Sequence, residues 1–215
     1  MSTKINTTVT ITALLLMLAL TATNFFGLSL AGFSIFVGII AFFLTTGKGK
    51  ICENGLDFRA TGKQLADKKL WLWILFPTLA NLLSVAIAHF FLPEFLSHVA
   101  ARTGEFLTFD KILLLVLAFQ LIITALGEEI AWRAFFQKRL GGFIPMWLSI
   151  VLTSILFSLG HLSTGTIKIV IYDLLFVFVN SLFYGIVFKK TNNACISAIS
   201  HLIANLVAAA IIFLV

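Results

Sequence analysis

Glu128 and Glu129 are adjacent carboxylates, and Arg133 follows the second by four residues. All three interrupt a long apolar run, with Ile112 to Leu126 before it and Ala134-Phe135-Phe136 after it. A charge held in a bilayer costs a few kcal/mol at least, so these groups need partners or a use. Residues four apart share a helix face, so Glu129 and Arg133 can pair. Glu128 is turned about 100° away and is expected to face a different neighbour. One carboxylate is then neutralised while the other stays free to act as a general base. A salt-bridged packing cluster is the other reading of the same three residues. Two further features carry chemistry. His161 ends the segment Phe157-Ser158-Leu159-Gly160-His161, and alone it reads as an interfacial residue. His201 and Asn205 are four apart among Ile, Ala, Leu and Val, so they aim the same way. Alone, that pair reads as an interhelical hydrogen bond of about 0.6–2 kcal/mol. Taken together, a carboxylate, two imidazoles and an amide could converge on one water, with or without a metal. No HExxH is present. Imidazole and carboxylate are ligands for a divalent ion, zinc first, so a metal site would be assembled from separate helices.

The elements that must position these residues are apolar helices. The 215 residues are 60% hydrophobic and 11% charged, with a mean hydropathy of +1.08. Soluble domains are about half apolar and about a quarter charged. The composition predicts an all-α fold, a polytopic transmembrane helical bundle forming one domain over 1–215. The net charge of +6 is then a matter of topology in the lipid bilayer, not of nucleic-acid binding. Interleaved aromatics agree, since 23 Phe in apolar runs belong to lipid-facing and packed helices.

About twenty apolar residues cross a hydrocarbon core, which gives about seven spans. They fall at 7–23, 25–45, 70–92, 111–136, 143–160, 166–188 and 194–215, the first two as a tight hairpin. The first span is expected to be a retained helix rather than a cleaved signal. The polar stretch 47–69 carries Lys48, Lys50, Arg59, Lys63, Lys68 and Lys69, and the positive-inside rule makes it cytoplasmic. Alternation then puts Lys4, Lys138, Arg139, Lys189 and Lys190 on the same side, and only Arg102, Lys111 and Lys168 opposite. The N-terminus is expected inside and the C-terminus outside. Residues 61–69 are expected to lie along the inner surface as a short interfacial helix. Trp71, Trp73 and Trp147 fall at the same ends as an aromatic belt. Cys52 and Cys195 come out on the cytoplasmic side, where a disulfide is not expected. Depth leaves a discrepancy. Glu128 and His201 each lie about 15 Å in from the basic end, whereas His161 lies about 24 Å in. Tilt of the fifth span, a deeper start to it, or a break at Gly127 would close the gap.

The three motifs resemble the CPBP family of CAAX proteases and bacteriocin-processing enzymes, also called Abi. The family pattern is EExxxR, then FxxxH, then HxxxN or HxxxD, on separate membrane helices. Here it is Glu128-Glu129 with Arg133, Phe157 with His161, and His201 with Asn205, in order and complete. The resemblance covers 111–215. It implies an intramembrane endopeptidase of a bacterial-type cell membrane, open to the cytoplasm and acting on a peptide or protein substrate, membrane-associated or prenylated. Glu128 would activate the water, with His161 holding that water or a metal. His201 and Asn205 would bind the metal or stabilise the oxyanion, and Glu129 and Arg133 would hold the geometry. A non-catalytic membrane scaffold or bacteriocin self-immunity protein keeping the family fold is the reading from a different class. A transporter fits less well, since there are no paired Gly/Pro-broken spans in two halves.

Overall fold

The computed structural model describes residues 2–25, 28–47, 50–103 and 111–214. Helices α1 (Ser2–Ala22) and α2 (Ala31–Thr45) pack together as the expected hairpin. The connection is more built than the sequence indicates. Strand β1 (Asn24–Phe25) pairs antiparallel with β2 (Leu28–Ser29), Asn24 opposite Ser29 and Phe25 opposite Leu28. The strand pair takes up residues assigned above to the second span, so α2 starts at Ala31 rather than at 25.

Next come α3 (Phe58–Leu65), α4 (Lys68–Phe91), α5 (Glu94–Thr103) and α6 (Lys111–Glu129). The last runs without a break into a π-helical segment, Ile130–Gln137, and a short turn α7 (Lys138–Leu140). Then follow α8 (Met146–Leu159), α9 (Ile167–Thr191) and α10 (Ala194–Leu214). Among the described residues, α4, α9 and α10 over Ala194–Ile211 are long and apolar enough to cross a membrane. Thr7–Ala22, Ala31–Thr45 and Met146–Leu159 are apolar but shorter. Among the described residues the apolar helices thus differ in length: three are long, three are short and one is π-interrupted.

The π segment is the centre of the packing. All eight of its residues are buried. Trp132, Phe135 and Phe136 join Met17, Phe42, Phe157 and Phe188 in the main core. Two glycines let its neighbours close in. A Cβ on Gly38 of α2 would lie 2.6 Å from the Ala131 Cβ. A Cβ on Gly185 of α9 would lie 2.8 Å from Gln137 Oε1. Without one, the Gln137 amide donates to the Gly185 carbonyl at 3.0 Å.

Polar residues gather at one end of the bundle, where residues 51–67 dock on the α9–α10 turn. The short helix expected near 61–69 is present, shifted to Phe58–Leu65 because Asp57 caps it by accepting from Arg59 N and Ala60 N. Asn192 ends α9 at φ 46°, a left-handed geometry that Asn tolerates. Lys138 Nζ donates to Glu53 O and to Asn192 Oδ1, both at 2.7 Å. Asn193 is fully buried and fully used. Its Oδ1 accepts from Asp57 N and Cys195 N, each at 3.1 Å. Its Nδ2 donates to Asp57 O and Gln64 Oε1 at 2.8 Å and to Thr61 Oγ1 at 3.3 Å. One side chain thus ties the basic stretch to the first turn of α10, the helix that carries His201. Both cysteines are free. Replacing Asn193 by Ala strands several of these partners at once, at about 1–3 kcal/mol for each buried group left unpaired. Asn193→Ala should therefore lower the unfolding midpoint of the purified protein markedly; an unchanged midpoint would remove this residue from the fold's framework.

Candidate active site

The site forms where α6, its π continuation, α9 and α10 meet beside the end of α8. Arg133 and Glu129 are both completely buried, and Arg133 Nε donates to Glu129 Oε2 at 3.1 Å. Arg133 Nη2 donates to Ser181 Oγ on α9 at 2.9 Å, and its Cζ lies 5.2 Å from the Phe157 ring centroid. The other oxygen of Glu129 faces His201, with Oε1 3.2 Å from Nδ1. In a neutral ring, a carboxylate against Nδ1 favours the tautomer with the proton on that nitrogen and the lone pair on Nε2. His201 Nε2 then faces Glu128, 3.9 Å from Oε2. The His201 ring is held on both sides. It stacks on Tyr184 at 4.5 Å and 19°, and it meets Phe157 edge-on at 5.9 Å.

Glu128 is 17% exposed at its side chain, yet its Oε2 is a buried atom with no hydrogen-bond partner among the described residues. The sequence placed Glu128 against a different neighbour from Glu129. The structure corrects this: both glutamates reach the same imidazole, one at each nitrogen. Two adjacent helix positions can do so because the two ring nitrogens project in different directions. The division of labour expected for the two carboxylates is present in the geometry. Arg133 pairs with Glu129, and among the described residues no cation pairs with Glu128 beyond the distant His201 ring.

His161 and Asn205 stand outside this bonded set. His161 lies in the turn after α8 and its ring folds back, with Nδ1 2.9 Å from the Phe157 carbonyl. Its ring centroid is 4.7 Å from that of Phe157. Phe157 therefore touches both histidine rings and lies beneath the guanidinium. The chain at Gly127 is unbroken helix; irregular geometry begins after Glu129 instead, where Lys138 N bonds to Arg133 O in the i to i−5 pattern. Such π segments occur often at functional sites. His161 has no hydrogen bond or ion pair to Glu128 or His201. Asn205 is half-buried one turn beyond His201 and makes no hydrogen bond among the described residues. Sequence reasoning missed Ser181 and Tyr184. A serine and a tyrosine three apart share a face of α9, but a tyrosine in an apolar helix ordinarily reads as packing.

The family scan matches residues 110–207 to the description "Type II CAAX prenyl endopeptidase Rce1-like". Residues 110–207 are an Rce1-like domain. The match takes in all three motifs and a little under half of the chain. Neither the curated proteins nor the solved structures give a match. The apolar helices and the Rce1-like domain together make this an integral membrane protein.

A catalytic zinc takes three protein ligands and a structural one takes four. Glu128 Oε2 and His201 Nε2 converge as two donors, and the Glu129 contact at Nδ1 is the kind that orients a metal-bound histidine. Among the described residues, however, no three His, Cys, Asp or Glu side chains stand where they could hold a metal. Glu128, His161 and His201 therefore do not form such a group in this arrangement.

Removing one partner of a buried ion pair costs about 3–5 kcal/mol, because a charge is left uncompensated. Arg133→Met should destabilise the protein by that order in a denaturant titration. Adding Glu129→Gln to it should recover part of the loss. A double variant less stable than Arg133→Met alone would show that the pair is not the stabilising unit.

Proposed function

We propose that the chain is a membrane-embedded endopeptidase that hydrolyses a peptide bond in a prenylated or otherwise membrane-associated protein or peptide, near the cytoplasmic face. The observation that carries this reading is the unpartnered Glu128 Oε2 lying 3.9 Å from His201 Nε2, the nitrogen that keeps a lone pair when Nδ1 donates to Glu129. Two acceptors at that separation suit one water, which donates a hydrogen to each. The water oxygen then keeps a lone pair directed away from both, towards a substrate carbonyl.

As the water oxygen bonds to the carbonyl carbon, its proton passes to Glu128 Oε2. The carbonyl oxygen becomes an oxyanion, and the Asn205 amide is the N–H donor assigned to it. The C–N bond breaks as Glu128 returns the proton to the leaving nitrogen. His201 orients the water throughout, since its Nδ1 is engaged by Glu129. Glu129 and Arg133 act as positioning residues. His161 has Nδ1 turned to the Phe157 carbonyl, which leaves Nε2 for the substrate or for a metal ion. The family match to a CAAX prenyl endopeptidase supports the substrate class.

The test is cleavage of a prenylated CAAX peptide by protein reconstituted in liposomes. Loss of a general base typically costs about 10²–10⁴-fold in rate. Glu128→Gln should fall by that order while inserting and accumulating like the wild type, and His201→Ala should follow it. Full activity in either variant would sink the proposed mechanism, and no cleavage by the wild type would favour a scaffold.

A further inference from the structure

Lys190, at the end of α9, lines two clefts near the Asn193 end of the bundle. The first has a volume of about 400 Å³ and lies between the α3–α4 connection and α9. Lys69, Lys190 and Gln64 form its polar wall, and Leu70 and Trp73 its apolar one. The Lys190 ammonium lies 4.6 Å from the Trp73 ring centroid, so a cation–π contact holds it over the cleft. Asp67 also lines this cleft, but its carboxylate caps α4 by accepting from Lys69 N at 2.9 Å. The second cleft, of about 390 Å³, runs between α8 and α9. Ile150, Val151, Leu182 and Ile186 line it, with Trp147, Lys189 and Lys190.

A cationic cleft and an apolar groove that share one lysine match the polarity of a single amphiphile. A soluble anion would have no use for the groove, and a neutral lipid would have none for the lysines. Tryptophan beside both clefts is what the headgroup level of a bilayer selects. Basic pockets between membrane helices are recurrent binding places for anionic headgroups. We propose that the two clefts form one site for an anionic phospholipid, with its phosphate held by Lys69 and Lys190 and an acyl chain laid along the α8–α9 groove. The site uses no residue of the catalytic reading and stands or falls apart from it.

Native mass spectrometry of the full chain in mild detergent, titrated with phosphatidylglycerol, tests this directly. A lysine at a membrane surface is worth about fivefold in affinity, so Lys69→Gln with Lys190→Gln should weaken binding roughly thirtyfold. Leu182→Trp fills the groove with both lysines intact and should also weaken it. Lys63→Gln, on α3 outside both clefts, should leave it unchanged. Undiminished binding in the double lysine variant would overturn the headgroup site, and in Leu182→Trp the acyl groove. Displacement of the lipid by an equal concentration of inorganic phosphate would mark a soluble-anion site and overturn the lipid assignment.

Discussion

Glu129 sits between Arg133 and His201, and the rest of the site depends on that sharing. One of its oxygens accepts from the guanidinium at 3.1 Å and the other lies 3.2 Å from the imidazole. All of this is buried, and Arg133 and Glu129 have no contact with solvent. Further hydrogen bonds offset the cost of burying such a pair, although Arg133 Nη1 has no hydrogen-bond partner among the described residues. Ser181 and the Phe157 ring take part of the guanidinium, and His201 takes the second carboxylate oxygen. Satisfying a charge and orienting a histidine are thus one interaction. Its consequence is the direction of His201 Nε2, which points at the carboxylate left without a partner.

The surrounding fold brings these residues together. The π segment buries every side chain from Ile130 to Gln137, which a one-faced helix at the edge of a bundle could not do. Gly38 and Gly185 admit α2 and α9 to close range of it. Asn193 fixes the start of α10, so His201 arrives two turns later opposite Glu129. Asn81 and Asn180 bond across α4 and α9 at 2.6 Å, and Asn81 also donates to Ala204 O on α10, one residue before Asn205. The polar residues of these helices therefore brace the same three-helix seam from the site outward.

Much of this was legible because charge in an apolar run is rare and must be explained. Glu129 pairing with Arg133 followed from four-residue spacing alone. Placing the basic loops together followed from the positive-inside rule, and Lys138, Asn192 and residues 51–67 do meet at one end. The convergence of Glu128 and Glu129 on one imidazole was not legible, because helix spacing says where a residue points and not which partner has two faces. The π segment was hidden as well. Its residues are ordinary helix formers, and only tertiary packing rewards the wider turn. The helix lengths misled for a related reason, since the strand pair at residues 24–29 and the turns that bound α8 shorten spans that hydropathy alone extends. Tyr184 and Ser181 carry no signal beyond being polar on an apolar helix, so their place beside His201 and Arg133 had to be seen.

The most direct test of the central claim is the tautomer of His201. Nitrogen-15 NMR of protein labelled at histidine, assigned against His201→Gln, reads which ring nitrogen carries the proton. The Glu129 contact predicts a proton on Nδ1 and a bare Nε2, with that preference lost in Glu129→Ala. A proton on Nε2 in the unaltered protein would contradict the arrangement, because that nitrogen could no longer accept a hydrogen bond from a water beside Glu128.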